Sequence, residues 1–154
     1  MASSVTQMSQ SVNGVDVAGL KQTIDSVRQD PSLGRFQFRA RNQWLGAAHN
    51  QSTIKDFYGA GKEDDTRRQA YLFDCDEPPV LLGQDQGANP VEHLLNALAG
   101  CLTTALVMHA AARGIEVESV SSELEGDIDV RGFLGLTDQV PRGFQKIRVA
   151  MHVK

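Results

Sequence analysis

The sequence predicts an α+β fold, and three observations support this prediction. A long apolar segment, residues 94–112, follows the helix-start signal Asn89-Pro90. The segments before and after it alternate between apolar and polar residues, as strands do. The chain has 154 residues, which is the usual length of a single domain. One long helix between two sets of strands is typical of the α+β class.

Residues 1–34 are predicted to form an N-terminal tail and an extension helix. Residues 1–14 are mostly small and polar, as in a tail. Asp16 is a good N-cap, and apolar residues then recur at helical spacing. Pro31 and Gly34 end this helix. The apolar residues of its stripe are Val17, Leu20, Ile24 and Val27.

The main domain is predicted to span residues 35–154. It begins with a half-buried strand from Phe36 to Trp44, whose outer face carries a basic row that includes Arg39 and Arg41. The segments after this strand are predicted to be a turn region, a short strand, a charged loop and another strand, at residues 46–53, 54–58, 59–68 and 71–73.

The central helix is predicted to run from Pro90 to Arg113, with Asn89 as N-cap and Gly114 at its C-terminal end. It is apolar on nearly all sides, so it should be buried on most of them. One small sheet covers only one face of such a helix. We therefore expect an identical subunit on the other face, in a homodimer.

Strands follow the central helix. The predicted strands cover residues 115–117, 120–124 and 147–153, with a bulge near Ser119 and a short extended piece around Ile128 and Val130. Gly132–Leu136 and the stretch around Pro141 and Gly143 are predicted to be turns.

Composition excludes several functions. A net charge of −4 argues against nucleic acid as a partner. Two cysteines without a C-x-x-C motif, and a polar N-terminus, argue for a reduced protein of the cytoplasm. Glu92, His93 and Asn96 argue against a membrane span. His93 and His109 lie too far apart in sequence to share a metal. We therefore expect no metal, no cofactor and no membrane.

Cys101 lies near the middle of NALAGCLTTALV, and two interpretations apply to it. A free cysteine is often a small buried hydrophobic residue. It can equally be a reactive thiol. This cysteine ends the run NPVEHLLNALAGC, residues 89–101, and the resemblance that this run carries favours the second. With the segment up to Val153, it resembles the OsmC/Ohr family, the osmotically inducible and organic hydroperoxide resistance proteins.

The resemblance implies an intertwined α+β homodimer with antiparallel sheets wrapped around a long central helix. It implies that Cys101 reduces organic hydroperoxides, assisted by a glutamate near the helix start and by an arginine. The hydroperoxide reductases carry that glutamate ten residues before the cysteine; that position is Val91 here, and Glu92 is at minus nine. The resemblance also implies a further helix after Lys154 that carries the resolving cysteine. We therefore expect a C-terminally incomplete domain.

A peroxidatic thiol must react as a thiolate, so a cation should lie beside it. The candidates are His49, Arg39 and Arg41. Glu92 and Cys101 are about 13 Å apart along an ideal helix, so they meet only through a kink or across a dimer. Glu92 is alternatively a first-turn carboxylate stabilised by the helix dipole. Cys75 stands beside acidic residues that disfavour its thiolate, and we expect no role for it.

Two functions from different classes follow. The first is a cysteine-dependent peroxidase that reduces a small organic hydroperoxide in oxidative-stress defence, through a sulfenic acid on Cys101 and an external thiol or dithiol reductant. The alternative is a non-enzymatic stress protein of the same family that binds a small apolar ligand at the dimer interface. A structural subunit with an inert cysteine is a third, weaker hypothesis.

Overall fold

The computed structural model describes residues 11–154 and confirms the α+β prediction. Its described part contains three α-helices, α1 (Val17–Gln29), α2 (Pro90–Ala112) and α3 (Val130–Phe133). The strands are β1 (Ser11–Val12), β2 (Val15–Asp16), β3 (Gln37–Phe38), β4 (Arg41–Gly46), β5 (His49–Ile54), β6 (Phe57–Gly59), β7 (Lys62–Asp64), β8 (Tyr71–Cys75), β9 (Val120–Ile128) and β10 (Phe144–Val153).

All the strands pair in an antiparallel manner, in four small sheets. In two of them the order is β3-β6-β7 and β4-β5-β8, and the other two are the pairs β1-β2 and β9-β10. The longest pairing is that of β9 with β10, which register over nearly their whole lengths. Helix α2 packs mainly against β9 and also contacts α1.

The predicted extension helix is confirmed as α1. The Asp16 side chain accepts hydrogen bonds from the backbone N–H groups of Ala18 and Gly19, both at 3.1 Å, as an N-cap does. Residues 1–10 of the predicted tail lie outside the described residues. The end of that tail is instead the hairpin β1-β2. Asn13 in its turn binds the backbone of Ile115 and Val117, so this hairpin is attached to the segment after α2.

The predicted central helix is confirmed as the unbroken α2. Asn89 caps it, Pro90 is its first residue, and Gly114 follows its end in a left-handed conformation, at φ +68°. That conformation costs glycine little, which is why glycine so often follows a helix. The local signals in the sequence therefore placed both ends of this helix to within one residue.

The predicted turn region at residues 46–53 is wrong. Only a tight turn at Ala47 and Ala48 separates β4 from β5, which occupies His49–Ile54. The polar residues of β5 gave no apolar alternation, yet its backbone is paired on both edges, with β4 and with β8. The strand predicted at 54–58 begins instead at Phe57, and the predicted charged loop contains β7.

The C-terminal half differs from the prediction in three places. Residues 115–117 are not a strand, and β9 runs without a bulge from Val120 to Ile128. The bulge lies in β10, between Phe144 and Lys146. The short helix α3 occupies the predicted extended piece at Val130 and the start of the predicted turn, because Asp129 caps its first turn.

The described chain buries very little apolar surface by itself. Val17 and Ala111 are its only buried hydrophobic residues, whereas large apolar side chains such as Leu94 and Phe133 are exposed by 61% and 71%. Ordinary domains cover most such residues in a core. The apolar faces of this chain are therefore available to other surfaces.

A buried carboxylate organises the loop between β8 and α2. Asp76 is only 2% exposed. Its side chain accepts hydrogen bonds from three backbone N–H groups, those of Glu77, Gln84 and Gln86, at 2.8 to 3.2 Å. Burial acts to raise the pKa of Asp76, but these three donors, together with the charge of His49, outweigh it and hold the pKa below its ordinary value.

Asp76→Asn should lower the melting temperature by about 5 °C or more at pH 7. The amide has one NH2 group, so at least one of the three backbone donors loses its acceptor. Because the pKa of Asp76 is depressed in the folded state, its ionised carboxylate stabilises the fold above the ordinary carboxyl pKa. This stabilisation is lost as the pH falls below about 4. The difference between wild type and variant should therefore shrink in acid.

Thermal unfolding between pH 3 and pH 7 measures this effect. Asp85→Asn is the matched control, because Asp85 is an exposed residue of the same loop and asparagine tolerates its left-handed conformation. Equal melting temperatures for wild type and Asp76→Asn across this range would contradict the assigned role.

Candidate active site

Cys101 lies on the solvent-facing side of α2, and its side chain is exposed. The exposed apolar and small residues of α2 recur at spacings of three and four, so they form one continuous stripe on the helix. We call this surface the α2 stripe; it consists of Leu94, Ala97, Cys101, Thr104, Ala105 and Met108. Its small side chains leave the thiol open to a ligand or to another surface.

Glu92 belongs to the start of the same helix, where it completes a capping box. The Asn89 side chain accepts a hydrogen bond from the Glu92 backbone N–H, and the Glu92 carboxylate accepts one from the Asn89 backbone N–H, both at 2.9 Å. This reciprocal pair fixes the first turn of the helix. Because α2 is unbroken, nine residues, or about 13 Å, separate Glu92 from Cys101 along it.

Two of the predicted cations bind carboxylates within their own chain. The Arg39 guanidinium donates to both carboxylate oxygens of Glu63, at 2.7 and 2.8 Å. His49 Nε2 lies 3.0 Å from Asp74 Oδ1. These contacts lower the pKa of both Glu63 and Asp74, with the hydrogen bonds from Arg39 and His49 as the largest causes. Neither cation is hydrogen-bonded to Cys101 within the described chain.

Arg41, the third predicted cation, lies on β4 opposite Thr53 of β5 and is exposed. It forms no ion pair with any of residues 11–154. Of the three candidates, Arg41 is therefore the one that contacts no carboxylate within residues 11–154.

The sequence did not indicate that Cys75 shares a cavity with the first turns of α2. This cavity of about 450 Å³ is lined by Cys75 and Phe73 of β8 and by His93, Asn96 and Ala97 of α2. His93 Nε2 lies 3.1 Å from the backbone carbonyl oxygen of Asp74, which holds β8 against the helix. Cys75 and His93 are 18 residues apart in the sequence, and no short-range sequence pattern links them. Only the tertiary structure therefore shows that they lie beside the same cavity.

The surroundings of Cys75 disfavour its thiolate form. Burial raises the pKa of Cys75, and the negative charges of Glu77 and Asp76 raise it further. A thiol with a raised pKa stays protonated at neutral pH and is a poor nucleophile. That Cys75 takes no part in chemistry stays a prediction, which the raised pKa supports.

Two features of the described chain bear on metal and membrane binding. Within residues 11–154, no group of three or more histidine, cysteine, aspartate or glutamate side chains is arranged to hold a metal ion. Helix α2 is long and apolar enough to cross a membrane by length and composition, and only 11% of its most apolar window is buried. Core helices of other proteins meet the same length and composition criteria.

Fold and site together define a class of protein: an α+β thiol protein with a single cysteine on the exposed face of its long helix. Comparison with family models matches residues 83–154, a little under half of the chain, to OsmC-like protein. This segment contains α2, Cys101, β9 and β10, and it is similar to the OsmC-like proteins. Comparison with curated proteins found none that matches the chain.

Proposed function

We propose that this protein is a cysteine-dependent peroxidase that reduces organic hydroperoxides. The observation that carries the proposal is the position of Cys101: exposed, at the middle of the α2 stripe, within the family-matched segment. A peroxidatic cysteine must be accessible to its substrate. An apolar surface around the thiol favours the alkyl part of an organic hydroperoxide over hydrogen peroxide.

The chemistry requires two steps. The Cys101 thiolate attacks the distal oxygen of the hydroperoxide; the S–O bond forms as the O–O bond breaks, and the alkoxide takes a proton and leaves as an alcohol. Sulfur is thereby oxidised by two electrons to a sulfenic acid. An external dithiol then attacks this sulfur, water leaves, and the second thiol of the reductant releases Cys101 as a thiol while the reductant becomes a disulfide.

A homodimer is part of this proposal. The large apolar residues exposed at the two ends of the α2 stripe, Leu94 and Met108, need cover, and a second copy of the helix supplies a matching apolar surface, while the small residues between them leave room for the substrate at Cys101. In such a dimer, Glu92 or Arg41 of one subunit approaches the thiol of the other, which the length of α2 prevents for Glu92 within one chain. Glu92 would there orient the cation that stabilises the thiolate. The reaction also needs a thiol-reducing compartment, which favours the cytoplasm.

The wild-type protein with dithiothreitol should consume cumene hydroperoxide with a kcat/KM at least about tenfold higher than for hydrogen peroxide. A tenfold difference in kcat/KM requires only about 1.4 kcal/mol of additional transition-state stabilisation, which apolar contacts with the alkyl group can supply. A coupled peroxide-consumption assay measures both rates, with dithiothreitol alone as the blank.

Consumption of cumene hydroperoxide no faster than in the blank would refute the proposed peroxidase activity. It would favour the non-enzymatic alternative, in which a dimer of this family binds a small apolar ligand. A preference for hydrogen peroxide would refute the substrate class but not the thiol chemistry.

A further inference from the structure

We propose that the substrate is an uncharged hydroperoxide whose body extends from Cys101 into the cavity between α2 and the sheet β4-β5-β8. The proposal rests on the peroxidase proposed above and names its substrate class. This cavity is the one that Cys75 and His93 line. Its volume of about 450 Å³ is within the range of roughly 300–1,000 Å³ that is usual for small-molecule sites.

One wall of the cavity is a single face of the sheet. Asn50, Ser52 and Ile54 alternate along β5, so their side chains lie on the same face. Cys75 and Phe73 of β8 stand directly opposite Asn50 and Ser52, so they share this face. All five residues line the cavity. Because β5 is paired on both edges, with β4 and with β8, this wall is fixed by the backbone.

Ala97 connects the other wall, on α2, with the thiol. It lines the cavity and also belongs to the α2 stripe. Four residues, or about 6 Å of helix, separate it from Cys101, and residues four apart lie on the same side of a helix. Ala97 is exposed, and its side chain is small. A hydroperoxide that reacts at Cys101 therefore has its body over Ala97, with the cavity as its continuation.

The lining of the cavity offers no charged partner to a substrate. None of the ten described residues that line it is a lysine, arginine, aspartate or glutamate. Asn50, Ser52 and Asn96 supply neutral hydrogen-bonding groups instead. A charged group moved here from water would lose hydration without gaining an ion pair, which is unfavourable. A neutral polar group, such as an amide, loses less hydration and pairs with the same neutral side chains.

An anion is disfavoured for a further reason. Burial raises the pKa of Cys75, and the negative charges of Glu77 and Asp76 raise it further, so a second anion beside this thiol would meet the same repulsion. The positive end of α2 offers little compensation. Pro90 has no N–H group, and Glu92 already places a carboxylate in the first turn.

The test uses three hydroperoxides that differ in charge. Each is cumene hydroperoxide with one para substituent, a carboxamide, a carboxylate or an amidinium, all planar groups with the same number of non-hydrogen atoms. Their ring covers about one helical turn, the separation of Cys101 and Ala97, so the substituent reaches the cavity. At about pH 8, where free imidazole is neutral, wild type should consume the carboxamide with a kcat/KM at least about tenfold higher than for either ion.

Replacements of Ile54 change the cavity from the sheet side, away from the α2 stripe. Ile54→Lys brings a cation to this wall, so the preference for the carboxamide over the carboxylate should fall below about twofold. Ile54→Trp fills the cavity and should remove the preference over both ions. Leu72→Lys is the matched control, because Leu72 is exposed on the opposite face of β8, and the preferences of wild type should remain. Repulsion of the carboxylate by the Cys101 thiolate alone would persist in Ile54→Trp and contradict the proposal.

A binding measurement separates this proposal from the peroxidase. The three tertiary alcohols that the reaction would release bind to Cys101→Ser without chemistry, and ligand-observed NMR gives their affinities. The carboxamide should bind at least about tenfold more tightly than either ion, and Ile54→Trp added to Cys101→Ser should remove this difference.

Equal rates for the three hydroperoxides, or a preference for either ion, would overturn this proposal and leave the peroxidase standing. No consumption of any of them, with the binding preference intact, would refute the peroxidase and keep the cavity as a site for a neutral ligand. Equal binding of the three alcohols would overturn the proposal in either case. Should Ile54→Trp not fold, as judged by circular dichroism, wild type and Ile54→Lys decide the question.

Discussion

Replacing Cys101 by serine is expected to lower the rate of organic hydroperoxide consumption by at least about 1,000-fold, to the level of the blank. A serine hydroxyl is not ionised at neutral pH, and its oxygen cannot accept the distal peroxide oxygen as sulfur does. Serine has nearly the same shape as cysteine, so the substitution changes the packing of α2 little. The loss should therefore appear in kcat/KM and not in the melting temperature.

Cys75→Ser is the matched control, since it removes the other thiol. Burial and two acidic neighbours raise the pKa of Cys75, so this variant should keep at least about half of the activity. Trapping with dimedone after addition of one equivalent of cumene hydroperoxide should label Cys101 alone. A label on Cys75, or activity retained in Cys101→Ser, would move the chemistry to the cavity beside His93.

The parts of the fold that the sequence predicted are those governed by local signals. Asn89, Pro90 and Gly114 mark the ends of α2 by their own backbone preferences, and Asp16 does the same for α1. The strand β5 was missed because its polar residues lack the alternation that indicates a half-buried strand. It is held by pairing with β4 and β8, and such contacts do not appear in a window of sequence.

The same distinction applies to the site. The capping interaction of Glu92 follows from the spacing Asn89-x-x-Glu92. The exposure of Cys101 does not follow from its apolar segment, and the reactivity of its thiol stays a prediction. The contacts of Arg39 with Glu63 and of His49 with Asp74 join residues 24 and 25 positions apart, so spacing could not reveal them.

Ala105→Glu is expected to convert a dimer into a monomer. Ala105 is exposed in the middle of the α2 stripe, so a glutamate there is tolerated in a single chain. In a dimer packed through this stripe, each subunit would bury an unpaired carboxylate near the symmetry-related helix, which is strongly unfavourable. Sedimentation velocity at micromolar concentration should give about twice the 16.8 kDa chain mass for wild type and the chain mass for the variant.

Ser26→Glu is the control, because it adds the same charge at an exposed position on α1 and should leave the dimer intact. If the thiolate-stabilising cation comes from the partner subunit, monomeric Ala105→Glu should also lose peroxidase activity while retaining its helical circular dichroism spectrum. A well-folded wild-type monomer at micromolar concentration would contradict the dimer. Activity in that monomer would require a cation of the same chain, and Arg41, which has no ion pair within residues 11–154, would be the residue to replace next.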